Sequence, residues 1–326
     1  MTTTPSHVVG LDIGGTSMVA GVIAGADAYL LSRRSVPTDS KRGPEDGLRR
    51  IVELIEHVIL ESGLRRERIG GIGVGCTGPV DSVTGRVNNP YTLPNWDDLP
   101  LIDHLTAHFQ LPAYLLGDCQ VAALGEHWAG AGKGARHVLY MTVGTGIGGG
   151  LILDGRLHRG VGLIAGEVGH QVIDLNGPDC YCGAKGCLEM LAAGPAIARR
   201  AAEEAPEDGL LLALADHDRR QITALLVSRA ADQGDPFAAA VLDRTAFYLG
   251  VGLANVLNII TPEVSVLGGG VLGSWSRLAP TLIETVRSRA AMIPFAQMRI
   301  VPASLGLNAG ITGAARAILD HLEGRV

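Results

Sequence analysis

The chain is 326 residues long and carries 27 Lys and Arg against 33 Asp and Glu, a formal net charge of −6. That length supports two ordinary domains, and the acidic balance argues against a dedicated nucleic-acid binder or a polybasic membrane anchor. With 47% hydrophobic and 18% charged residues, disorder is excluded as the main state, and five cysteines, three of them within residues 180–187, do not make a secreted disulfide framework.

The N-terminal residues lack a basic segment followed by an apolar one, so no signal peptide is expected and the default location is the cytoplasm. Residues 7–13 and 16–23 are apolar, β-branched runs on either side of Gly14-Gly15, which predicts two strands joined by a tight turn. Over 44–62, Leu48, Ile51, Val52, Ile55, Val58 and Ile59 recur at helical spacing, and Gly63 stops the helix. A strand is predicted at 69–76, a loop with a short hairpin at 79–96, a helix at 101–110 and a strand at 113–116. A helix follows at 118–129, and strands at 138–143 and 150–153 flank a second glycine-rich turn. Beyond 188 the pattern is mostly helical, at 188–204, 209–232, 235–260, 276–290 and 310–323, with one strand at 264–267. The uncharged stretch 245–262 holds Asn255, Asn258 and two glycines, which favours a buried core helix over a membrane span. Strands alternating with helices imply an α/β protein with largely parallel sheets. Residues 7–14 and 137–144 align at an offset of 130, both reading strand, glycine turn, strand, which suggests two related halves with a ligand cleft between them.

Four segments and one lone carboxylate carry chemistry. Asp12-Ile13-Gly14-Gly15-Thr16 reads either as a hairpin turn or as a phosphate cradle, with backbone N–H groups for phosphate oxygens and a carboxylate for Mg²⁺. Residues 144–150 hold five glycines, an entropic cost that close approach of backbone to a polyphosphate would explain. Gly144-x-Gly146-x-x-Gly149 and Gly73-x-Gly75-x-x-Gly78 both match a dinucleotide fingerprint, but neither opens a helix, so that reading is set aside. Cys180, Cys182 and Cys187, with His170 upstream, have the types and spacing of a structural Zn²⁺ site, with nearby glycines that let a short loop wrap an ion. Glu167, His170 and Glu189 surround that loop; carboxylates of this kind either hold sugar hydroxyls or lie as surface groups. His170 has two ring nitrogens, one for zinc and one for a ligand. Asp118 follows a strand at a helix start, where it serves as N-cap or as general base.

In order along the chain, D-I-G-G-T at 12–16, T-G-I-G-G-G at 145–150, E-V-G-H at 167–170, C-Y-C-G-A-K-G-C-L-E at 180–189 and N-I-I-T-P-E-V-S-V-L-G-G-G-V at 258–271 resemble the ROK family, the group of repressors, open reading frames and sugar kinases. The resemblance runs over essentially the whole chain, and the cysteine run is its most specific part. It implies an α/β fold of two actin-like (hexokinase-like, ribonuclease H-like) domains, expected at 1–117 plus 306–326 and at 118–305. It also implies an ATP-dependent hexose kinase, glucokinase-like, using Mg²⁺ and a structural Zn²⁺. Asp12, Gly14, Gly15 and Thr16 would form the first phosphate loop, Thr145 and Gly146 the second, and Gly268, Gly269 and Gly270 would approach the adenosine. Asp118 matches the catalytic base; Gly78, Glu167, His170 and Glu189 match sugar-binding positions. His170, Cys180, Cys182 and Cys187 match the zinc ligands. Such kinases are usually homodimers, with a sugar and ATP as partners and no nucleic acid or membrane.

One departure is Gly117, where the family usually has Asn beside the catalytic Asp; Cys76-Thr77 is another. Gly117 leaves room for an N-acetylhexosamine (N-acetylmannosamine or N-acetylglucosamine) as the alternative substrate. The remaining alternatives are a non-catalytic sugar binder and a sugar-responsive repressor. The latter carries a helix-turn-helix ahead of the first phosphate loop, for which residues 1–11 leave no space.

Overall fold

His7–Ile13 is an apolar run with one carboxylate near its end, and it forms β1. The Gly14–Thr16 turn sends the chain back as β2 (Ser17–Ala24), and β3 (Leu30–Pro37) extends the meander. The computed structural model describes residues 5–89 and 92–325. The first four residues of the stretch read as leaderless, and residues 90 and 91 of the 79–96 loop, lie outside them.

α1 (Pro44–Glu61) starts on a proline in its first turn and buries Ile51, Val52, Leu54, Ile55, Val58 and Ile59. β4 (Ile69–Cys76), the small hairpin β5 (Val80–Asp81) and β6 (Arg86–Val87), α2 (Leu101–Phe109), β7 (Ala113–Gly117) and α3 (Asp118–Ala129) follow. The first sheet is ordered β3-β2-β1-β4-β7. It is mixed, not largely parallel. Strands joined by turns pair antiparallel, whereas β1–β4 and β4–β7, joined through helices, pair parallel.

The chain continues as β8 (Val138–Val143), β9 (Ile147–Leu153) and β10 (Arg156–His158). Then come α4 (Leu188–Ala192), α5 (Gly194–Glu204), α6 (Leu210–Leu214), α7 (Ala224–Asp232) and α8 (Pro236–Ile260). β11 (Val264–Gly268), α9 (Trp275–Arg289), β12 (Arg299–Pro302) and α10 (Ala309–Leu322) complete it. The second sheet is ordered β10-β9-β8-β11-β12. Two expected helices are broken. Pro195 has no N–H for the Leu191 carbonyl and its ring would clash with it in a continuous helix, so the chain breaks at the extended Ala193 (ψ 162°) and 188–204 is split. Asp216 and His217 have φ of 50° and 58°, which interrupts 209–232.

Residues cluster into two compact units: 1–140 with 150–166 and 303–326, and 141–149 with 167–302. The first unit runs past the break expected at 117/118, because α3 is packed on α10. At Gly313 of α10 a Cβ would fall 1.5 Å from the Val121 carbonyl oxygen, and at Gly125 of α3 it would fall 2.4 Å from that of Ala309. Such backbone-to-backbone contact tolerates only glycine. Glu126, fully buried on α3, accepts from the N–H groups of Ala131, Ser304 and Leu305, which fixes the entry to α10.

In the second unit α8 packs on α9, α7 and α4. It is long and apolar enough to cross a membrane by length and composition, but Leu249, Leu253 and Leu257 are buried against its neighbours, as expected of a core helix.

Candidate active site

The first unit gathers its polar chemistry at the C-terminal ends of three adjacent parallel strands, where open α/β sheets bind ligands. Asp12 stands opposite Gly75, and Cys76 opposite Gly117. Asp12, Cys76 and Asp118 therefore end β1, end β4 and follow β7. Burial raises the Asp12 pKa to about 7, and the Asp118 charge pushes it the same way. Burial also lifts Asp118, offset in part by the Cys119 N–H, which donates to its Oδ1 at 2.7 Å. The Cys76 thiol is pushed well up by burial and by both carboxylates, so it stays protonated and inert.

Asp118 is the first helical residue of α3. Gly117 holds the capping position, and its N–H donates to Gln120 Oε1 at 3.4 Å. Asp118 is thus not the N-cap. Gln120 also donates to the Leu163 carbonyl at 2.8 Å. Gly117 has φ −65° and ψ 149°, and a Cβ there would meet only the Gln120 amide, at 3.7 Å or more. A side chain fits here without strain.

Gly14, Gly15 and Thr16 form the turn after Asp12. It is closed by the Gly14 N–H to Ser17 and braced by the Thr38 hydroxyl on the Gly14 carbonyl, while Gly15 and Thr16 are exposed. Gly78 is exposed just after β4. The fully buried Asn89 donates to the Thr77 carbonyl at 3.0 Å and so braces that loop. Among the described residues no cation or hydrogen-bond donor faces the Asp12 carboxylate. A largely buried carboxylate left this way suits a divalent cation, the role expected of it toward Mg²⁺.

In the second unit only residues 144–146 of the glycine run form the turn; β9 starts at Ile147. The later glycines serve packing. At Gly150, which belongs to the first unit, a Cβ would lie 2.8 Å from the Cys119 carbonyl oxygen. The turn is bonded to α5, whose Gly194 N–H donates to the Gly144 carbonyl at 2.8 Å. Gly269 has φ +93°, and a Cβ there would sit 2.4 Å from the Val143 carbonyl oxygen. Gly268 ends β11, and Gly269 and Gly270 are exposed beyond it. Thr145 and Gly146 are therefore brought together with Gly268–Gly270. A Cβ at Gly144 or Gly270 would meet nothing within 4 Å, the open ground that a nucleotide phosphate requires.

His170, Cys180, Cys182 and Cys187 offer ligand atoms within 4.8 Å of one another. Cys180 Sγ lies 3.6 Å from His170 Nδ1, and Cys182 Sγ lies 3.7 Å from Cys187 Sγ. Tetrahedral Zn²⁺ with bonds of about 2.3 Å to sulfur sets ligand edges of about 3.8 Å, so the set fits zinc. Backbone bonds from Cys180 to Ala184 and from Gly186 to Pro178 shape the loop. Gly186, at φ +68°, passes so close to Asp174 that a Cβ would overlap its carbonyl oxygen at 1.6 Å.

The loop leads into α4, whose second residue is the buried Glu189. Its Oε2 accepts from the Ile147 N–H at 2.7 Å and lies where a Cβ on Gly146 would be, 2.6 Å away. Glu189 thus joins the metal loop to the glycine turn. His170 Nε2 faces Glu167 Oε2 at 3.9 Å and the Tyr181 hydroxyl at 3.3 Å. Sequence reasoning passed over Tyr181, Gln120 and Asn89. Tyr181 is the intervening residue of the Cys-x-Cys pair, and nothing in the sequence marks the other two.

Two expectations follow. With a native pKa near 7 against 3.8 unfolded, Asp12 holds its proton in the native state while the unfolded chain releases it. Stability of the nucleotide- and metal-free protein is therefore lost as pH rises from about 4 to 7. Asp12→Asn removes that cost, on the order of 4 kcal/mol once pH exceeds 7. The variant-minus-wild-type difference in melting temperature should grow from near zero at pH 4 to its full value at pH 8; a flat difference excludes the buried, proton-holding Asp12. The second is metal content. Protein prepared without chelator should hold about one zinc per chain, and Cys182→Ser should lose it and weaken sugar binding more than ATP binding. Elemental analysis and calorimetry check both.

A profile of the ROK family matches residues 8–321. The chain is 36% identical over 313 residues to a glucokinase of Halalkalibacterium halodurans, covering 94% of this chain and 92% of that relative. Among solved structures it is similar to the ROK hexokinase of Thermus thermophilus, with TM-score 0.81 and 36% identity over 98% of this chain and 99% of that one. It is also similar to a ROK family glucokinase from Streptomyces griseus in complex with glucose and AMPPNP, with TM-score 0.80 and 31% identity over 95% and 98% of the two chains. With the motifs, the fold and the site elements all in the expected order, the chain belongs to the ROK family.

Proposed function

We propose that the protein is an ATP-dependent glucose kinase that forms glucose 6-phosphate and ADP. The observation that carries the reading is the Asp12–Asp118 pair at the strand ends of the first unit, one carboxylate without a donor and the other at a helix start with a raised pKa. The relatives named as glucokinases, and the glucose-bound one among them, support the choice of sugar.

The roles divide by unit. In the first, Asp118 accepts the proton of the C6 hydroxyl as that oxygen attacks the γ-phosphorus and the bond to the β-phosphate oxygen breaks. A carboxylate made more basic by burial is better suited to take that proton at neutral pH. Asp12 holds the Mg²⁺ that accompanies ATP, which supplies charge neutralisation at the phosphates. The exposed N–H groups of Gly15 and Thr16 donate to phosphate oxygens, as do those of Thr145 and Gly146 in the second unit, while Gly14 keeps the first turn closed through its own N–H bond to Ser17. Gly268, Gly269 and Gly270 leave space for the adenosine, and Gly78 approaches the sugar. Glu167, His170 and Glu189 orient the remaining hydroxyls, with the zinc loop fixing His170 and Glu189 in advance of binding. A cytoplasmic homodimer without nucleic-acid or membrane partners completes this reading.

Asp118→Asn keeps the shape and removes the base, so turnover should fall at least about 10²-fold with little change in glucose affinity. A coupled ADP-release assay beside calorimetric glucose titration measures both, and near-full turnover would falsify the assignment of the base.

A second reading, an N-acetylhexosamine kinase, is favoured by one observation, the open ground at Gly117. Its backbone admits any residue, so Gly117→Asn should leave the melting temperature within about 2 °C of wild type. On the glucose reading, the new amide adds a hydrogen bond and raises kcat/KM for glucose up to about fivefold. On the second reading, it fills space needed by the acetamido group and lowers kcat/KM for the N-acetyl sugar. Assays of both proteins over glucose, mannose, N-acetylglucosamine and N-acetylmannosamine separate the two.

A further inference from the structure

Tyr181 lies between two zinc ligands, yet its side chain points back over the residues assigned to the sugar. Its ring meets His170 edge-on, with centroids 5.2 Å apart and planes at 88°. Its hydroxyl lies 3.3 Å from His170 Nε2 and donates to the Glu189 carboxylate. With His170 Nδ1 turned to Cys180 as a metal ligand, the ring proton resides on Nε2, which therefore donates. The tyrosyl oxygen thus accepts from His170 and gives its own proton to Glu189. A sugar hydroxyl held by the same two residues would make the same pair of bonds. His170 Nε2 has a single proton to give and so cannot serve both the phenol and a sugar hydroxyl, and Glu189 is held in place by the Ile147 N–H on its Oε2 at 2.7 Å. Tyr181 itself is 68% exposed, so little packing holds it in place.

We infer that Tyr181 is an internal competitor for the sugar subsite: its hydroxyl occupies the His170–Glu189 pair in the free protein and swings out when a sugar hydroxyl replaces it. This rests on the sugar-kinase reading and deepens it. The apparent affinity for sugar is then the intrinsic affinity reduced by the fraction of molecules in which the phenol has left. The side chain sets the glucose concentration at which the enzyme works without touching the phosphoryl transfer.

Tyr181→Phe keeps the ring and the spacing of the cysteines and deletes only the competing hydroxyl. Glucose Kd, measured calorimetrically without ATP, and glucose KM should both fall about three- to tenfold, the worth of one exchanged hydrogen-bond pair. The kcat, the KM for ATP and the zinc content should stay within twofold of wild type. Tyr181→Leu should shift Kd in the same direction, so the test stands if the first variant is poorly soluble. An unchanged or weaker glucose Kd in variants that retain zinc overturns the inference, the weaker value making Tyr181 a sugar contact. A wild type that neither binds nor phosphorylates glucose overturns the kinase reading and this inference with it. A wild type that does both, with variants of unaltered affinity, overturns this inference alone.

Discussion

Two carboxylates at the ends of β1 and β7, with only β4 between those strands, are the constraint from which the first unit can be understood. Each raises the cost of ionising its neighbourhood, and among the described residues no lysine or arginine lies against either. A fold selected for stability alone would place an arginine there or replace one carboxylate by an amide. Retaining both makes sense where the missing positive charge arrives with a ligand. The same logic explains Cys76: a thiol between two carboxylates cannot ionise, so it adds no third negative charge.

Keeping that spot dry requires backbone to pack on backbone. α10 lies across β1 and β4 at Gly10 and Gly73, where a Cβ would fall within 2 Å of the carbonyl oxygens of Ile311 and Ala314. Gly310 admits the Asp12 side chain itself, whose Oδ2 would lie 2.2 Å from a Cβ there. Of the β4 glycines easily taken for a dinucleotide fingerprint, Gly73 is explained by this helix and Gly75 by α3, where a Cβ would fall 2.4 Å from the Val121 side chain, so neither needs a nucleotide. Glu126 then ties the segment before α10 to α3, so the helix that covers Asp12 and the helix that begins at Asp118 are held by one buried carboxylate.

Periodicity and motif order made most of this legible in the sequence. β1 and β4 lie where the apolar runs put them, because strands buried on both faces advertise themselves as continuous hydrophobic stretches. β3 was not legible, since an edge strand carrying Arg33 and Arg34 has no such run, and four residues of β12 are too few to show a period. Pro195 and the Asp216-His217 turn were legible signals of helix breaks that the hydrophobic pattern concealed. At the site, residue types and spacing pointed to the zinc set and to Asp12 beside its glycine turn, whereas the role of Asp118 came from the family resemblance and its nearness to Asp12 only from the fold. The partners of those groups were not legible, because Gln120, Asn89 and Tyr181 meet them through contacts that only the folded chain creates.

The second unit shows why its motifs come as a set. Glu189 ends the cysteine run in sequence, but in space it answers to the glycine turn, where only the absence of a side chain at Gly146 lets its carboxylate reach the Ile147 N–H. His170 ends the Glu167–His170 segment, yet its Nδ1 belongs to the cysteine cluster. A change in any one of these segments is therefore felt in the other two. Losing the metal would free the start of α4, hence Glu189, hence the turn at 144–146, although no metal ligand lies in that turn. The tyrosine at 181 occupies a position in the cysteine run where a side chain reaches His170, one of the residues proposed to hold the sugar, without itself holding the metal. It can therefore vary, and tune affinity, while the ligand set and the turn stay fixed.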